Sequence, residues 1–472
     1  MRGISKRGGL AAATAALALA ACQPADQSTT ELDTEFSVPV EYYTLDNGLR
    51  VVLSPDHTAP IVTVAVYYNV GLRLEPRDRT GFAHLFEHMM FQGSENLGKM
   101  EFIQLVQKNG GVLNGSTRFD FTNYFEIVPA HKLETMLWAE ADRMKGLAIT
   151  QENLTNQQGV VSNEVKVNVL NQPYGGFPWL DMPQLANENW YNAHNFYGEL
   201  SDLEAATLED VQDFFDTFYA PNNAALAVVG DFDPAEAKAW IEQYFGPIAS
   251  GPDKPEFDIS EPRQEEEKRS SKVDALAPRP ALAFAYHTPE RNSPEYWAFG
   301  LIHQILVQGE DSRLFQRLVQ EDGFTAGVNG SMNDLGNMYN YAGPMLWTVS
   351  LYHDADVSAD DILAAADEVV ERIRTEPVDE ETLARARTKL KSSLLNSMEG
   401  LFGFGRADLL ASFALFDDDP SRINRIEDEF AAVTPELILQ TAQEYLRPTN
   451  RTILTVEPGA AEGGAAAGAG SR

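Results

Sequence analysis

The run His84-Leu85-Phe86-Glu87-His88 combines residue types and a spacing that suit zinc-dependent hydrolysis. On a helix that turns about 100° per residue, His88 lies roughly 40° from His84, and Glu87 lies about 60° to the other side of His84. All three side chains therefore project from one helix face. Zinc binds neutral imidazoles and leaves a position for water, whose proton a non-ligating carboxylate can take. The order is H-x-x-E-H, the inverse of the commoner H-E-x-x-H, and a chance helix face is the alternative interpretation.

Two histidines do not complete a catalytic zinc site, so the motif predicts a third protein ligand, and a carboxylate on a second helix would supply it. Glu164 is the only acid between Leu154 and Asn171 and has valines on both sides. The alternative is an ordinary solvated position on a helix surface.

The chain resembles the pitrilysin-like zinc peptidases, which include insulin-degrading enzyme and the mitochondrial processing peptidases, from about residue 41 to residue 456. In that family two motif histidines and a later glutamate bind zinc, and the interval of 76 residues between His88 and Glu164 is similar to the family's. The resemblance implies that His84, His88 and Glu164 hold one Zn²⁺ per chain and that Glu87 is the general base. Three further stretches look familial: Asn114-Gly115-Ser116-Thr117 with Thr122-Asn123-Tyr124, Asn171-Gln172-Pro173-Tyr174-Gly175, and Tyr219-Ala220-Pro221-Asn222-Asn223.

Length and internal repetition predict two domains. A chain of 472 residues with 44% hydrophobic content exceeds a single core. A helix start, a turn and an apolar run that begin at Thr207 recur 227 residues later, from Thr434. Earlier elements repeat at an offset of 216, which sets His84, Glu87 and His88 against Gly300, His303 and Gln304. The second copy is therefore predicted to lack the metal site, with His303 packed in a core.

The resemblance implies an α+β fold with two homologous domains, each a mostly antiparallel sheet flanked by helices, arranged as a clamshell around a chamber. We expect an N-terminal zinc-binding peptidase domain at residues 38–250 and a C-terminal domain without a metal site at residues 279–458. Residues 251–278 are rich in proline and charge, which predicts an exposed linker. Such a clamp suits peptides and unfolded polypeptides as substrates.

Both ends of the chain are expected to lie outside the fold. Residues 1–21 have basic residues and then a short apolar stretch, which predicts a secretory signal peptide. Leu19-Ala20-Ala21-Cys22 resembles the lipobox of bacterial lipoproteins, and Cys22 is the only cysteine. Residues 22–37 would be a lipid-anchored tether, and Gln23 favours the outer membrane, facing the periplasm. A plain signal peptide with an incidental cysteine is the alternative, and residues 459–472 are predicted to be disordered.

The formal net charge of −34 disfavours nucleic acid and anionic membranes as partners, so membrane contact would come through the lipid anchor only. Such a field would concentrate basic peptides in an acidic cleft, although the charge could serve solubility alone.

The segment Asn114-Gly115-Ser116-Thr117 is the expected substrate-binding element. In the family it forms a sheet edge to which the peptide adds as a further strand, a mode that reads backbone more than side chains. A strand end with a turn is the structural alternative.

Two departures from the family pattern bear on function. Gln157 stands where better-known members have an acid. Members also supply an arginine and a tyrosine from the opposite domain, where residues 318–328 here have Gln320 and Ala326 or Gly327; Arg317 is nearby, but Phe324 lacks a hydroxyl. We therefore predict the catalytic subunit of a heterodimeric metalloendopeptidase, whose homologous partner supplies the arginine and tyrosine. The alternative is a non-catalytic clamp that binds peptides or assists envelope assembly.

Overall fold

The structure is a computed structural model that describes residues 37–459. The predicted signal peptide, Cys22, the tether up to residue 36 and the tail from residue 460 lie outside the described residues. Among the helices within 37–459, none has both the length and the apolar character needed to cross a membrane.

The described chain forms two mainly antiparallel sheets. The first has the strand order β1-β2-β6-β3-β5-β4, and the second has the order β7-β11-β8-β10-β9. Only the pairs β2/β6 and β7/β11 are parallel within the described residues. The strands are β1 Glu41–Thr44, β2 Arg50–Pro55, β3 Ile61–Tyr68, β4 Val112–Thr117, β5 Thr122–Pro129, β6 Ala224–Gly230, β7 Lys268–Asp274, β8 Ala281–His287, β9 Asn329–Ser331, β10 Leu346–Tyr352 and β11 Arg451–Pro458.

Helices flank both sheets, which confirms the predicted α+β class. They are α1 Phe82–Met89, α2 Glu101–Lys108, α3 Leu133–Lys145, α4 Gln151–Val165, α5 Asp181–Ala186, α6 Trp190–Ala193, α7 Leu200–Ala205, α8 Leu208–Phe218, α9 Pro234–Phe245, α10 Pro294–Leu306, α11 Arg313–Phe315, α12 Ala359–Thr375, α13 Glu380–Asp417, α14 Ile426–Ala431 and α15 Pro435–Tyr445.

The repeated sequence segments form equivalent elements in the two domains. Thr207 caps α8 by accepting a hydrogen bond from the Asp210 N–H, and Thr434 caps α15 by accepting one from the Leu437 N–H. Each of these helices leads through a short 3₁₀ turn to a central strand, β6 or β11. The strand–helix pairs β3–α1 and β8–α10 also correspond. The repetition is therefore structural as well as sequential.

The predicted linker at residues 251–278 is partly wrong. Residues 251–267 are largely irregular and mostly exposed, but Lys268–Asp274 forms β7, which pairs in parallel with β11. Its side chains alternate between exposed and partly buried, as expected of an edge strand with one covered face. A polar, charged strand of this kind has the composition of a linker, which is why composition alone misassigned it.

The long helix α13 joins the second domain to the first sheet. Phe404 stacks on Phe125 of β5, with ring centroids 3.7 Å apart. The Tyr67 hydroxyl of β3 donates a hydrogen bond of 2.8 Å to Asp408. One hydrophobic cluster accordingly includes buried residues of both domains. The other face of the first sheet packs beneath its own helices, among them α1.

Candidate metal centre

Helix α1 places the histidine motif on the first sheet. It begins after Gly81, whose φ of +82° is readily adopted only by glycine. Its apolar residues at helical spacing are buried and pack on the sheet and on α8, with Phe86 4.8 Å from Phe214 between ring centroids. This packing leaves Glu87 and His88 partly exposed, while His84 is buried beside them.

Helix α4 brings Glu164 to the two histidines. Thr150 caps its start by accepting a hydrogen bond from the Asn153 N–H, and Leu154 and Val161 are buried. Glu164 lies in the last turn, partly exposed, and the helix continues as one π-helical turn, Lys166–Leu170. The chain is then tied to the second domain, since the Tyr174 N–H donates a 2.6 Å hydrogen bond to Asp274.

The three side chains meet at metal-binding distances. His88 Nε2 lies 3.2 Å from one carboxylate oxygen of Glu164, and His84 Nε2 lies 3.6 Å from the other. A tetrahedral zinc with ligand bonds of about 2.0–2.1 Å separates its ligand atoms by about 3.3 Å, so the spacing fits. Within residues 37–459, this is the single group of three such side chains whose ligand atoms lie within 4.8 Å of one another.

The charge states of these groups also fit a metal site. Burial, together with the neighbouring His88, lowers the pKa of His84 to about 4, so this imidazole is neutral at pH 7. The hydrogen bond from His88 lowers the pKa of Glu164, which keeps that carboxylate ionised. A neutral imidazole and an ionised carboxylate are the forms that bind zinc.

Glu87 is held in place by the strand beside α1. Thr117 of β4 donates a hydrogen bond of 2.9 Å from Oγ1 to Glu87 Oε2, which leaves Oε1 available. Gly115 packs against the side chain, and a Cβ there would lie 3.3 Å from Glu87 Cγ. Burial raises the pKa of Glu87, while the Thr117 hydrogen bond opposes that shift.

The predicted substrate-binding segment is β4, the outer strand of its sheet. Of its four named residues, Asn114 is exposed, Ser116 is partly buried and donates a hydrogen bond to Asn123, and Gly115 and Thr117 face Glu87. The segment thus combines a free backbone edge with side chains turned toward the histidine motif.

Sequence reasoning missed two aromatic residues of the site. The Tyr197 ring lies edge-on to His84, with ring centroids 5.0 Å apart, and its hydroxyl donates a long hydrogen bond of 3.4 Å to Glu164. Phe196 covers His84 from another side, at 5.5 Å between ring centroids. Both lie in an irregular segment without a periodic pattern, and the dipeptide of adjacent aromatics was the only local signal.

Two positions noted as departures from the family are occupied without replacing the expected groups. Gln157 is buried in α4 and donates its amide to Asn156. Arg317 is engaged by acids of the second domain, at 2.7 Å from Asp322 and 2.9 Å from Glu368. Phe324 is partly buried and packs against the core. No arginine–tyrosine pair is therefore available from this segment.

Family comparisons identify both domains. The model of the insulinase family, peptidase family M16, matches residues 50–174, which include the histidine motif and Glu164. The model of the peptidase M16 inactive domain matches residues 205–390. The first match covers the proposed ligands, and the second covers the copy in which the histidine motif is absent.

Individual proteins give the same result. The chain is 24% identical over 431 residues to the zinc protease PqqE of Helicobacter pylori, covering 89% of this chain and 93% of the relative. A solved structure of a protease from Helicobacter pylori superposes with a TM-score of 0.82 at 23% identity, covering 89% of this chain and all of that one. The first half of the periplasmic protease PqqL from Escherichia coli superposes with a TM-score of 0.72 at 18% identity, covering 90% and 93%. These likenesses confirm the predicted two-domain fold of the clamshell type.

Proposed function

Because the chain belongs to the M16 family of pitrilysin-like zinc proteases, we propose that it is a zinc-dependent endopeptidase that processes or degrades peptides and unfolded polypeptides. The observation that carries the proposal is the convergence of His84, His88 and Glu164 beside Glu87, next to an open strand edge. The first domain, residues 38–250, would carry the chemistry, and the second, residues 279–458, would support it.

His84, His88 and Glu164 would hold one zinc ion per chain. Bound there, zinc would lower the pKa of a water molecule and polarise the scissile carbonyl. Glu87 would accept the water proton at Oε1, the oxygen that Thr117 does not engage, and deliver it to the nitrogen of the leaving amine. The raised pKa of Glu87 suits this role, because a base that must later release its proton works best near the ambient pH.

The peptide would bind along β4, with Asn114, Gly115, Ser116 and Thr117 forming the segment nearest the zinc. Main-chain hydrogen bonds to an edge strand tolerate many sequences. The net charge of −34 would favour neutral or basic peptides.

We also propose that activity needs a homologous partner chain. Family members place an arginine and a tyrosine opposite the zinc, and here Arg317 is paired with acids while Phe324 has no hydroxyl. Support comes from PqqL, in which a region like this chain is only the first half of a longer protease. A partner that supplies the missing pair would make this chain the catalytic subunit of a heterodimer.

Location in the bacterial envelope, with lipidated Cys22 as an anchor on the periplasmic side of the outer membrane, completes the proposal. The name of the similar protease PqqL includes the word periplasmic, and the leader ends in Leu19-Ala20-Ala21-Cys22. Metabolic labelling with a fatty acid should mark the wild-type chain and leave Cys22→Ser unlabelled. Equal labelling of both chains would refute lipidation at Cys22.

The test measures zinc content and peptide cleavage together. Purified chain lacking the leader should bind one zinc ion, and Glu87→Gln should keep that ion while losing cleavage of a fluorogenic, mildly basic peptide. Glu164→Gln and His88→Gln should lose both. Each assay is run with and without the homologous chain encoded nearest in the genome.

The outcomes separate three possibilities. Cleavage that requires both Glu87 and the partner supports the split peptidase. Full endopeptidase activity of the homogeneous chain refutes the need for a partner. Zinc binding without cleavage under any pairing would favour the non-catalytic clamp, whose peptide binding should then survive Glu87→Gln.

A further inference from the structure

A buried carboxylate outside the proposed metal site controls the start of the helix that carries it. Glu75 has no solvent-exposed surface and lies six residues before Gly81. Its Oε2 accepts a hydrogen bond of 2.8 Å from the Gly81 N–H, and its Oε1 accepts one of 2.8 Å from the Ala83 N–H. Ala83 directly precedes His84, so this cap lies within one helical turn of the motif.

Helix α1 depends on this distant cap. The first N–H groups of a helix lack partners within the helix, and a neighbouring serine, threonine or aspartate usually satisfies them. Here the cap position is Gly81, which has no side chain, and a Cβ there would lie 2.4 Å from the Tyr197 carbonyl oxygen. With only eight residues, α1 is too short to be stable without such contacts.

His194 fixes the position of the Glu75 carboxylate. Its Nε2 lies 3.2 Å from Glu75 Oε2, its Nδ1 lies 3.1 Å from the Trp190 carbonyl oxygen, and its ring stacks on Trp190 at 4.3 Å. His194 is buried and belongs to the same segment as Tyr197, whose ring contacts His84. The pair therefore connects the two segments that enclose His84.

We infer that Glu75 and His194 are positioning residues for the metal centre, which they serve by fixing the first turn of α1 and the segment that carries Tyr197. This inference rests on the proposed function. Without the pair, the imidazole of His84 would be held less firmly at the distance that a shared metal requires. Metal affinity and turnover should then fall, while peptide binding along β4 should change little.

Glu75→Gln tests the inference in the full chain, because glutamine keeps the size but replaces one acceptor oxygen with an NH₂ group that opposes a backbone N–H. The zinc dissociation constant, measured by competition with a chromophoric chelator, should rise about tenfold. With zinc saturating and the partner present, kcat should fall and KM should stay near the wild-type value. The absorption spectrum of the Co²⁺-substituted chain should also shift, reporting altered ligand geometry.

Asp233→Asn is the matched control. Asp233 caps α9 with the same double acceptance, at 2.8 Å from the Ala235 N–H and 3.1 Å from the Glu236 N–H. Loss of this cap should lower the melting temperature without altering zinc affinity or the Co²⁺ spectrum. If Glu75→Gln behaves in the same way, Glu75 is only structural and the inference is wrong.

His194→Phe provides a second variant should Glu75→Gln fail to fold. It keeps an aromatic ring on Trp190 and removes the contact with Glu75, so weaker zinc binding would support the inference and unchanged binding would overturn it. A wild-type chain that binds no zinc would overturn the proposed function together with this inference. A wild-type chain that binds zinc, with variants that bind it equally well, would overturn the inference alone.

Discussion

Thr117 Oγ1 donates a hydrogen bond of 2.9 Å to Glu87 Oε2, so a strand residue fixes the orientation of the carboxylate on the neighbouring helix. Thr117 is buried and also lies 3.3 Å from the Ala83 carbonyl oxygen. Thr117→Val keeps the shape and removes the donor. We expect kcat/KM to fall about tenfold, equivalent to roughly 1.4 kcal/mol, with zinc content unchanged.

Thr117→Ser is the control for this prediction, since serine retains the hydroxyl and should keep most of the activity. Peptide cleavage at saturating zinc is the measurement. Wild-type activity in Thr117→Val would show that the hydrogen bond does not orient the base.

Gly115 should tolerate no side chain next to Glu87. A Cβ there would lie 3.3 Å from Glu87 Cγ and 3.1 Å from the ring of buried Tyr124. Because the Tyr124 ring is fixed by its packing, the Glu87 side chain would move, and Gly115→Ala should lower kcat several-fold while zinc stays bound. Gly159→Ala on α4 is the control, because nothing lies within 4 Å of its added Cβ. Equal rates in both variants would contradict the prediction.

Arg143 should be essential for stability, although it lies outside the site. Its guanidinium is buried between Glu126 and Glu140 and lies 4.0 Å from the centre of the Phe102 ring. Removal of the one cation leaves two buried carboxylates, so Arg143→Leu should cost about 3–5 kcal/mol of unfolding free energy. Burial and the charge of Glu140 raise the pKa of Glu126, so Glu126→Gln, which resembles its protonated form, should cost far less.

Urea unfolding of the metal-free chains at pH 7 measures this difference. A larger loss in Glu126→Gln than in Arg143→Leu would show that the cation is not what makes the cluster tolerable.

His303 should make folding stability depend on pH. Burial lowers its pKa from 6.5 to about 4, and Trp347 Nε1 donates a 2.9 Å hydrogen bond to its Nδ1. Between pH 6.5 and 4 the unfolded chain therefore binds the additional proton. The contribution is fully present above pH 6.5 and is lost as the pH falls to about 4, amounting to at most about 3 kcal/mol.

His303→Asn keeps an acceptor for Trp347 and removes this titration. Urea unfolding of the metal-free variant should therefore show a shallower loss of stability between pH 6.5 and 4 than the wild-type chain. Parallel pH curves for the two chains would contradict the assignment.

The sequence predicted the fold well where local patterns are strong. The alternating apolar runs of β3 and β6 and the capped helices α8 and α15 appear where the repeat indicated, and His303 packs against Trp347 on α10. The spacing of the histidine motif required a helix, and α1 supplies it. The β7 boundary was missed because a charged edge strand has the composition of a linker.

The site was predictable only as far as the motif and the family resemblance extend. His84, Glu87 and His88 share a helix, so their proximity follows from helical geometry. Glu164 comes near them only through the packing of α4 on α1, which no local pattern specifies. Glu75, His194 and Tyr197 contribute through contacts over long sequence separations, and these become visible only in three dimensions.

Helix α13, which begins more than 250 residues after the histidine motif, covers one face of the first sheet through contacts such as Phe404 on Phe125. Residues 38–250 expressed alone would expose that apolar face to water and would be prone to aggregate. The two halves are therefore one cooperative folding unit, and a calorimetric scan of the whole chain should show a single transition. Dissecting this protein into a catalytic fragment and a support would destroy the part that was to be kept.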